Sequence, residues 1–360
     1  MDSTTNNKVW HNQICNPAQL GGIEQSVLTE GSAKGVRIAW VNTGSGLRYK
    51  VVIDRAMDIA EAFFNQHSLA WLSHIGVTAP KPDANQGLEW LYSFTGGLLA
   101  TCGLAHIGAP ESDDQEHRGL HGRISNLPAT VESVKQPDPA NNKPDMSITG
   151  VVKQSGVFGP NLELKRTISA RIGQASIRLF DVVTNYGSTA WPHMILYHCN
   201  FGWPLVDEGA DIVWSGKWKP FGRDMDNAVF NDKFNFRKCQ KPMESHRGPG
   251  EACACIDVTA DDDGICTVGI ANLKINLALI MKYKKQQLPV LTNWQHWGFG
   301  DYVTALEPGT NAPIGQKKAK ELKELIYLEP GQSRSYELEF VVLSEPAQIE
   351  EFISSDAPVL

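Results

Sequence analysis

Three short stretches put acid–base side chains where apolar ones are expected. In "HMILYHCN" (residues 193–200) the period-2 alternation places Met194, Leu196, His198 and Asn200 on one side of a pleated strand, with Ile195, Tyr197 and Cys199 on the other. A half-buried strand that ends on an imidazole and a carboxamide delivers both to one place. His193 lies an odd number of residues before His198 and faces the opposite way. "GLHGRISNLPA" (119–129) reads as a short strand carrying His121 and Arg123 on one face, opened by a glycine and closed before Pro128. "YVTALEPGTN" (302–311) ends a strand on Glu307, directly before Pro308-Gly309. A carboxylate there is a candidate general base, because partial desolvation raises its pKa toward neutrality. An imidazole exchanges a proton near neutral pH and is a candidate acid. Taken singly, each group also has a packing explanation: a satisfied core histidine, a loop histidine beside a solvated arginine, an exposed carboxylate.

The elements that must carry these groups are strands. Residues 35–54 form two alternating runs broken by Gly44-Ser45-Gly46, a hairpin pattern. Further runs cover 147–154, 162–185, 193–200, 254–272, 275–283, 302–307 and 333–344, with Gly173-Gln174 and Asp263-Gly264 where hairpin turns belong. Helical periodicity is confined to 88–102, 317–325 and 345–353. Many short strands with few helices predict an all-β chain, a large antiparallel β-sandwich. Two loops, 136–145 and 207–250, look long and irregular. Strands of one style lie on both sides of the first, so residues 1–360 are expected to form one domain, with residues up to about 30 as a leading segment.

Composition narrows the function classes. The 360 residues carry 42% hydrophobic and 20% charged side chains, a net charge of −7 and a pI near 5.8. An acidic chain lacks the basic field that nucleic-acid binding requires. Residues 1–7, "MDSTTNN", have no cationic or apolar targeting pattern, and no apolar run approaches the ~20 residues of a membrane span. Seven cysteines without a regular framework fit a reducing interior, so a cytoplasmic location is expected. "CAC" (253–255) has no companion ligand pair for zinc, and "GGLLATCG" lacks the spacing of a nucleotide loop. No metal or redox cofactor is expected.

In order, the sites read LHG, then a strand ending HxN, then E-P-G, and this order resembles the aldose 1-epimerases, the galactose mutarotase-like enzymes. The resemblance is closest to a less characterised bacterial branch, through "DRAMDIA" (54–60), "LAWLSHIG" (69–76), "FTGGLLATCGL" (94–104), "HGRISNLPA" (121–129) and "EPGTN" (307–311). It implies the galactose mutarotase-type sandwich with the site in a groove on one sheet. It also implies Glu307 as base, His198 as acid and His121 as an assisting donor, facing each other across a gap one pyranose wide. The expected substrate is a free sugar, with a homodimer as a candidate assembly. The chain departs from the family pattern at the second glycine of "LHGG", which is Arg123 here, and in lacking the family arginine before the first histidine. Arg123, Arg55 and Arg118 are candidates to replace it, Asn200 shares the His198 face, and Trp297 or Trp203 could offer an apolar face to the sugar. A non-catalytic sugar binder, or another epimerase or lyase on the same scaffold, is the alternative reading.

Overall fold

The alternating runs fold as antiparallel strands, in a computed structural model that describes residues 13–114 and 116–355. Residues 1–7, read above as free of a targeting signal, lie outside that range. An eight-stranded sheet runs in the order Asp211–Val213, Ile265–Asn272, Leu277–Lys284, Ser333–Leu343, Ser176–Asn185, Asn161–Arg171, Asp145–Ser155 and Ala129–Lys135. A seven-stranded sheet runs Gly216–Pro220, Ala252–Val258, Val290–Trp297, Tyr302–Gly309, Trp191–Phe201 and Ile326–Leu328, with Ala100–Leu104 also pairing with Trp191–Phe201. A five-stranded sheet from Gly22–Val27 to His67–Ser68 and a small two-stranded one complete the β structure. The sandwich expected from the alternation is the fold. In Asn161–Arg171, for example, Leu162, Leu164, Arg166, Ile168 and Ala170 turn inward while their neighbours face out.

The largest buried cluster draws side chains from all three large sheets and from both sides of residues 136–145, including Ile124, Leu127, Met146 and Ile148. It also contains a charge network. Fully buried Arg166 donates to Asp181 Oδ2 (2.7 Å), Asp58 Oδ1 (2.9 Å) and Thr101 Oγ1 (2.8 Å), and Tyr197 Oη donates to Asp181 Oδ2 (2.8 Å). Burial by itself would lower the Arg166 pKa, but Asp181 and Asp58 hold it above its ordinary value.

Several local readings are corrected. Residues 88–102 are not one helix: a single 3₁₀ turn, Glu89–Tyr92, is followed by the strand Ala100–Leu104. Gly97 lies between them at φ +86°, where a Cβ would sit 2.7 Å from the Ile59 carbonyl oxygen, so the chain turns instead of coiling. Asp263-Gly264 does turn the chain, but it connects strands of two different sheets and closes no hairpin. Within 207–250 lie two short strands and the helix Asp224–Val229. Trp191–Phe201 is buried on both faces, not half-buried. Its Ile195, Tyr197, Cys199 and Phe201 enter the main core, while Met194 and Leu196 pack under Trp90, Phe94 and Ala319.

Candidate active site

Register brings the groups together. Cys199 pairs with Leu306 and Asn200 with Ala305, so His198 and Glu307 are cross-strand neighbours on the sheet face opposite the main core. His198 Nε2 lies 3.3 Å from Glu307 Oε1, and both side chains are almost wholly buried. The expected pyranose-wide gap between them is absent; the two are in direct contact. Burial, seconded by the Glu251 carboxylate, pushes the Glu307 pKa well above the usual carboxylate range. Burial likewise lowers His198 to about 4, with the Asn200 side chain pulling the other way. Both shifts favour the neutral pair, a carboxylic acid beside a neutral imidazole.

His121 reaches the same place from a different element. It sits not on a strand but in a turn at φ +57°, a conformation uncommon outside glycine. Its backbone is pinned by Gly108 and Gly103, and its Nδ1 accepts from the Gly108 N–H (3.4 Å). Gly122 follows at φ +71°, and a Cβ there would lie 2.5 Å from the Gly103 carbonyl oxygen. The turn aims the His121 ring edge-on at His198, with centroids 5.9 Å apart. Burial, then His198 and His106, lower its pKa to about 3, leaving it a neutral hydrogen-bonding group.

Aromatic rings enclose the pair. Trp294, Phe94 and Trp90 have centroids 5.5, 5.2 and 6.1 Å from His198, and Trp90 also lies 4.9 Å from His121. Trp294 Nε1 donates to Glu251 Oε2 (2.8 Å), and Glu251 Oε1 accepts from Arg223 (2.7 Å). Thr292, directly opposite Glu307 in register, is buried with its hydroxyl unbonded within the described chain. The His198 Nδ1 and Asn200 Oδ1 atoms also lack a partner at full hydrogen-bond geometry, although the Asn200 side chain is near enough to act on the imidazole.

Not every sequence candidate reaches the site. Asn200 does, although its amide donates to the Gly97 (3.0 Å) and His198 (2.9 Å) carbonyls, which leaves only Oδ1 for another partner. Trp297 does not: it is fully buried in the main core against Tyr302, its Nε1 donating to Gln295. Alternation explains the error, because Trp297 is an odd number of residues from Trp294 and takes the other face. Trp203 is exposed. Arg55 is buried and spends its guanidinium on Ser125 O, Thr78 Oγ1 (2.7 Å) and Ser93 O (2.8 Å), which makes it a loop anchor. Arg123 precedes the 3₁₀ turn Ile124–Asn126 without a side-chain capping bond, its guanidinium reaches the Pro82 carbonyl, and no strand aligns it with His121. Arg118 is held by Asp113 and Glu116. Sequence reading missed Trp90, Phe94, Trp294, Thr292 and Glu251. Only the alternation Glu251, Cys253, Cys255 on one strand face offered a signal for any of them.

Residues 33–342 match a single family model, described as a domain of unknown function, DUF4432. The chain belongs to the DUF4432 family. No curated protein matches this DUF4432 chain in sequence. Among solved structures it is similar to a Klebsiella pneumoniae protein provisionally assigned as an aldose 1-epimerase. The identity is 26% over 96% of this chain and 93% of the other, with a TM-score of 0.84. A galactose mutarotase-like protein from Clostridium acetobutylicum aligns at 14% identity over 90% and 98% of the two chains, with a TM-score of 0.61. An Escherichia coli protein with the same provisional assignment as the Klebsiella one aligns at 14% identity over 86% and 100%, with a TM-score of 0.58. The DUF4432 chain thus has the galactose mutarotase-like fold that the sequence resemblance implied.

Proposed function

We propose that this DUF4432 protein is an aldose 1-epimerase that interconverts the anomers of a free sugar through the Glu307–His198 pair. The observation that carries the reading is their contact at 3.3 Å on one sheet face, with His121 alongside. An acid and a base on one side suit the chemistry, because the two oxygens they must serve are both bonded to the anomeric carbon. Glu307 as carboxylate removes the proton from the anomeric hydroxyl. The C1=O bond forms, the bond from C1 to the ring oxygen breaks, and the ring oxygen takes a proton from the His198 imidazolium. After rotation about C1–C2, His198 removes that proton as the oxygen re-attacks C1, and Glu307 returns its proton to the new hydroxyl. His121 donates to a neighbouring sugar oxygen, and Trp294 and Phe94 offer their faces to sugar C–H groups.

The active form, carboxylate with imidazolium, has the same proton count as the neutral pair and differs only by one proton moved across the contact. Coupled groups this close titrate as a unit holding one proton over the working range. Polarimetry on freshly dissolved single anomers of a panel of aldoses tests the reading. A rate of approach to equilibrium above that of buffer, proportional to enzyme, is expected for at least one sugar. Binding without acceleration would make the protein a sugar binder instead.

A further inference from the structure

The site face extends past Glu307 toward the edge of the seven-stranded sheet. Glu307 is opposite Thr292, Thr292 opposite Cys255, and Cys255 opposite Lys219, in one continuous row across four strands. Residues opposite one another share a face, so Lys219 and Glu307 project to the same side. Lys217 pairs with Asp257 two positions along and joins them. This end of the face opens into a cavity of about 490 Å³ lined by Lys217, Lys219, Cys255, Phe221, Asp257 and Glu324, among others. Cys255 is the member of the row next to Lys219 that lines the cavity; burial pushes its thiol up to about 12, Lys219 opposes the shift, and Glu307 and Glu324 add to it.

The charges in the cavity are not balanced internally. Asp257 is ion-paired with Lys285, which approaches from outside the cavity, and Lys318 pairs with Glu321 (3.1 Å). Among the described residues no side-chain hydrogen bond or ion pair joins Lys217 or Lys219 to another group, and Glu324 is the one carboxylate of the lining left to oppose them. We propose that Lys219, assisted by Lys217, binds an anionic group on the substrate, so that the preferred sugar carries a phosphate or carboxylate at the end remote from its anomeric carbon. The proposal rests on the mutarotase reading for where the anomeric carbon sits. Strand spacing of about 4.8 Å separates the Lys219 and Glu307 Cα atoms by roughly 14 Å. A lysine side chain reaching inward leaves a span that a hexose with an anionic substituent covers. Phe221, two residues on from Lys219 at the same sheet edge, adds an apolar surface to the cavity lining.

An edge strand also gains from lysines simply because they block strand addition, and the test separates that role from binding. Binding is measured by calorimetry, and anomer exchange by NMR, with D-glucose 6-phosphate, D-glucuronate and D-glucose. The proteins are the wild type, Lys219→Ala, Lys217→Ala/Lys219→Ala and Glu307→Gln. The wild type should bind at least one anionic sugar at least tenfold more tightly than glucose. The double variant should lose most of that margin, affinity for glucose should change less than twofold, and the margin should shrink as salt is raised. Glu307→Gln should retain the preference. Whichever of phosphate or carboxylate gains more from the lysines names the substituent. Equal affinity for charged and neutral sugars, or a charge preference unaffected by both lysine substitutions, overturns the proposal even if exchange of neutral sugars is fast. Lysine-dependent binding without exchange of any sugar keeps the anion site and removes the mutarotase reading. Absence of both binding and exchange removes both.

Discussion

At the residue scale, the pair His198–Glu307 carries an unusual ordering of pKa values. The imidazole is lowered to about 4 while the carboxyl is raised well above its ordinary range. Below about pH 4 the pair holds two protons and no base remains. Above the raised carboxyl value it holds none and no acid remains. Anomer exchange should therefore persist above about pH 4 and fall only where the raised Glu307 carboxyl ionises, above the range of an ordinary glutamate. A pH–rate profile that has already fallen on its alkaline side at the ordinary glutamate value, about 4.5, would contradict this ordering. Replacing His198 with Asn, which keeps a hydrogen-bonding side chain but no titratable acid, should lower the exchange rate ~10²-fold or more. Alternation set the face of His198 and the E-P-G strand end marked Glu307, whereas His121, which lies in a turn, was joined to them only by the LHG…HxN…E-P-G order of the resemblance. Trp294 was not legible in the sequence, since an aromatic on a strand has no signature until register shows what it faces, and for Glu251 the alternation with Cys253 and Cys255 indicated a face but not its partners.

At the element scale, the strand under His198 is fixed from below. Tyr197 and Thr101 are cross-strand partners whose side chains both join the Arg166–Asp181–Asp58 network, while His198 and Ala100 beside them face the site. Arg166→Ala would leave two carboxylates buried without their counter-charge. We expect a loss of about 3–5 kcal/mol in denaturant unfolding, and an unchanged midpoint would contradict that role. The turn that holds His121 is equally specific. Gly122→Ala would force a Cβ against the Gly103 and His106 carbonyls at a positive φ, so melting temperature and activity should fall together. A variant as stable and active as the wild type would show that the turn tolerates a side chain. Strand content was readable because period 2 survives in single segments. The fate of residues 88–102 was not, because Trp90 and Phe94 satisfy a helical period locally. What breaks the helix is close packing of Gly97 against residues 59–60, a contact far away in sequence.

At the scale of the whole molecule, the fold lowers the pKa of five histidines, His106 and four with large shifts. Burial is the leading cause for each, and their pKa values fall to about 3 for His121 and about 4 for His193, His198 and His246. The unfolded chain binds protons on these groups near pH 6.5, so it gains protons relative to the fold as pH drops from 6.5 toward 4, and stability falls over that window. Glu307 and Asp58, raised by burial, oppose this with the reverse sign above the ordinary carboxylate value. With five histidines against two carboxyl groups, the melting temperature should be lower at pH 5 than at pH 7.5; a higher value at pH 5 would mean that the carboxyl groups dominate. The central claim is that one acid and one base in contact on a sheet face catalyse anomer exchange. Its most direct test is two-dimensional exchange NMR of the best aldose substrate with wild type and Glu307→Gln at equal concentration, both shown to bind the sugar. The account predicts cross-peaks between α and β anomers with the wild type and a rate lower by ~10²-fold or more with the variant. Equal exchange rates for the two proteins, at equal occupancy, would contradict it.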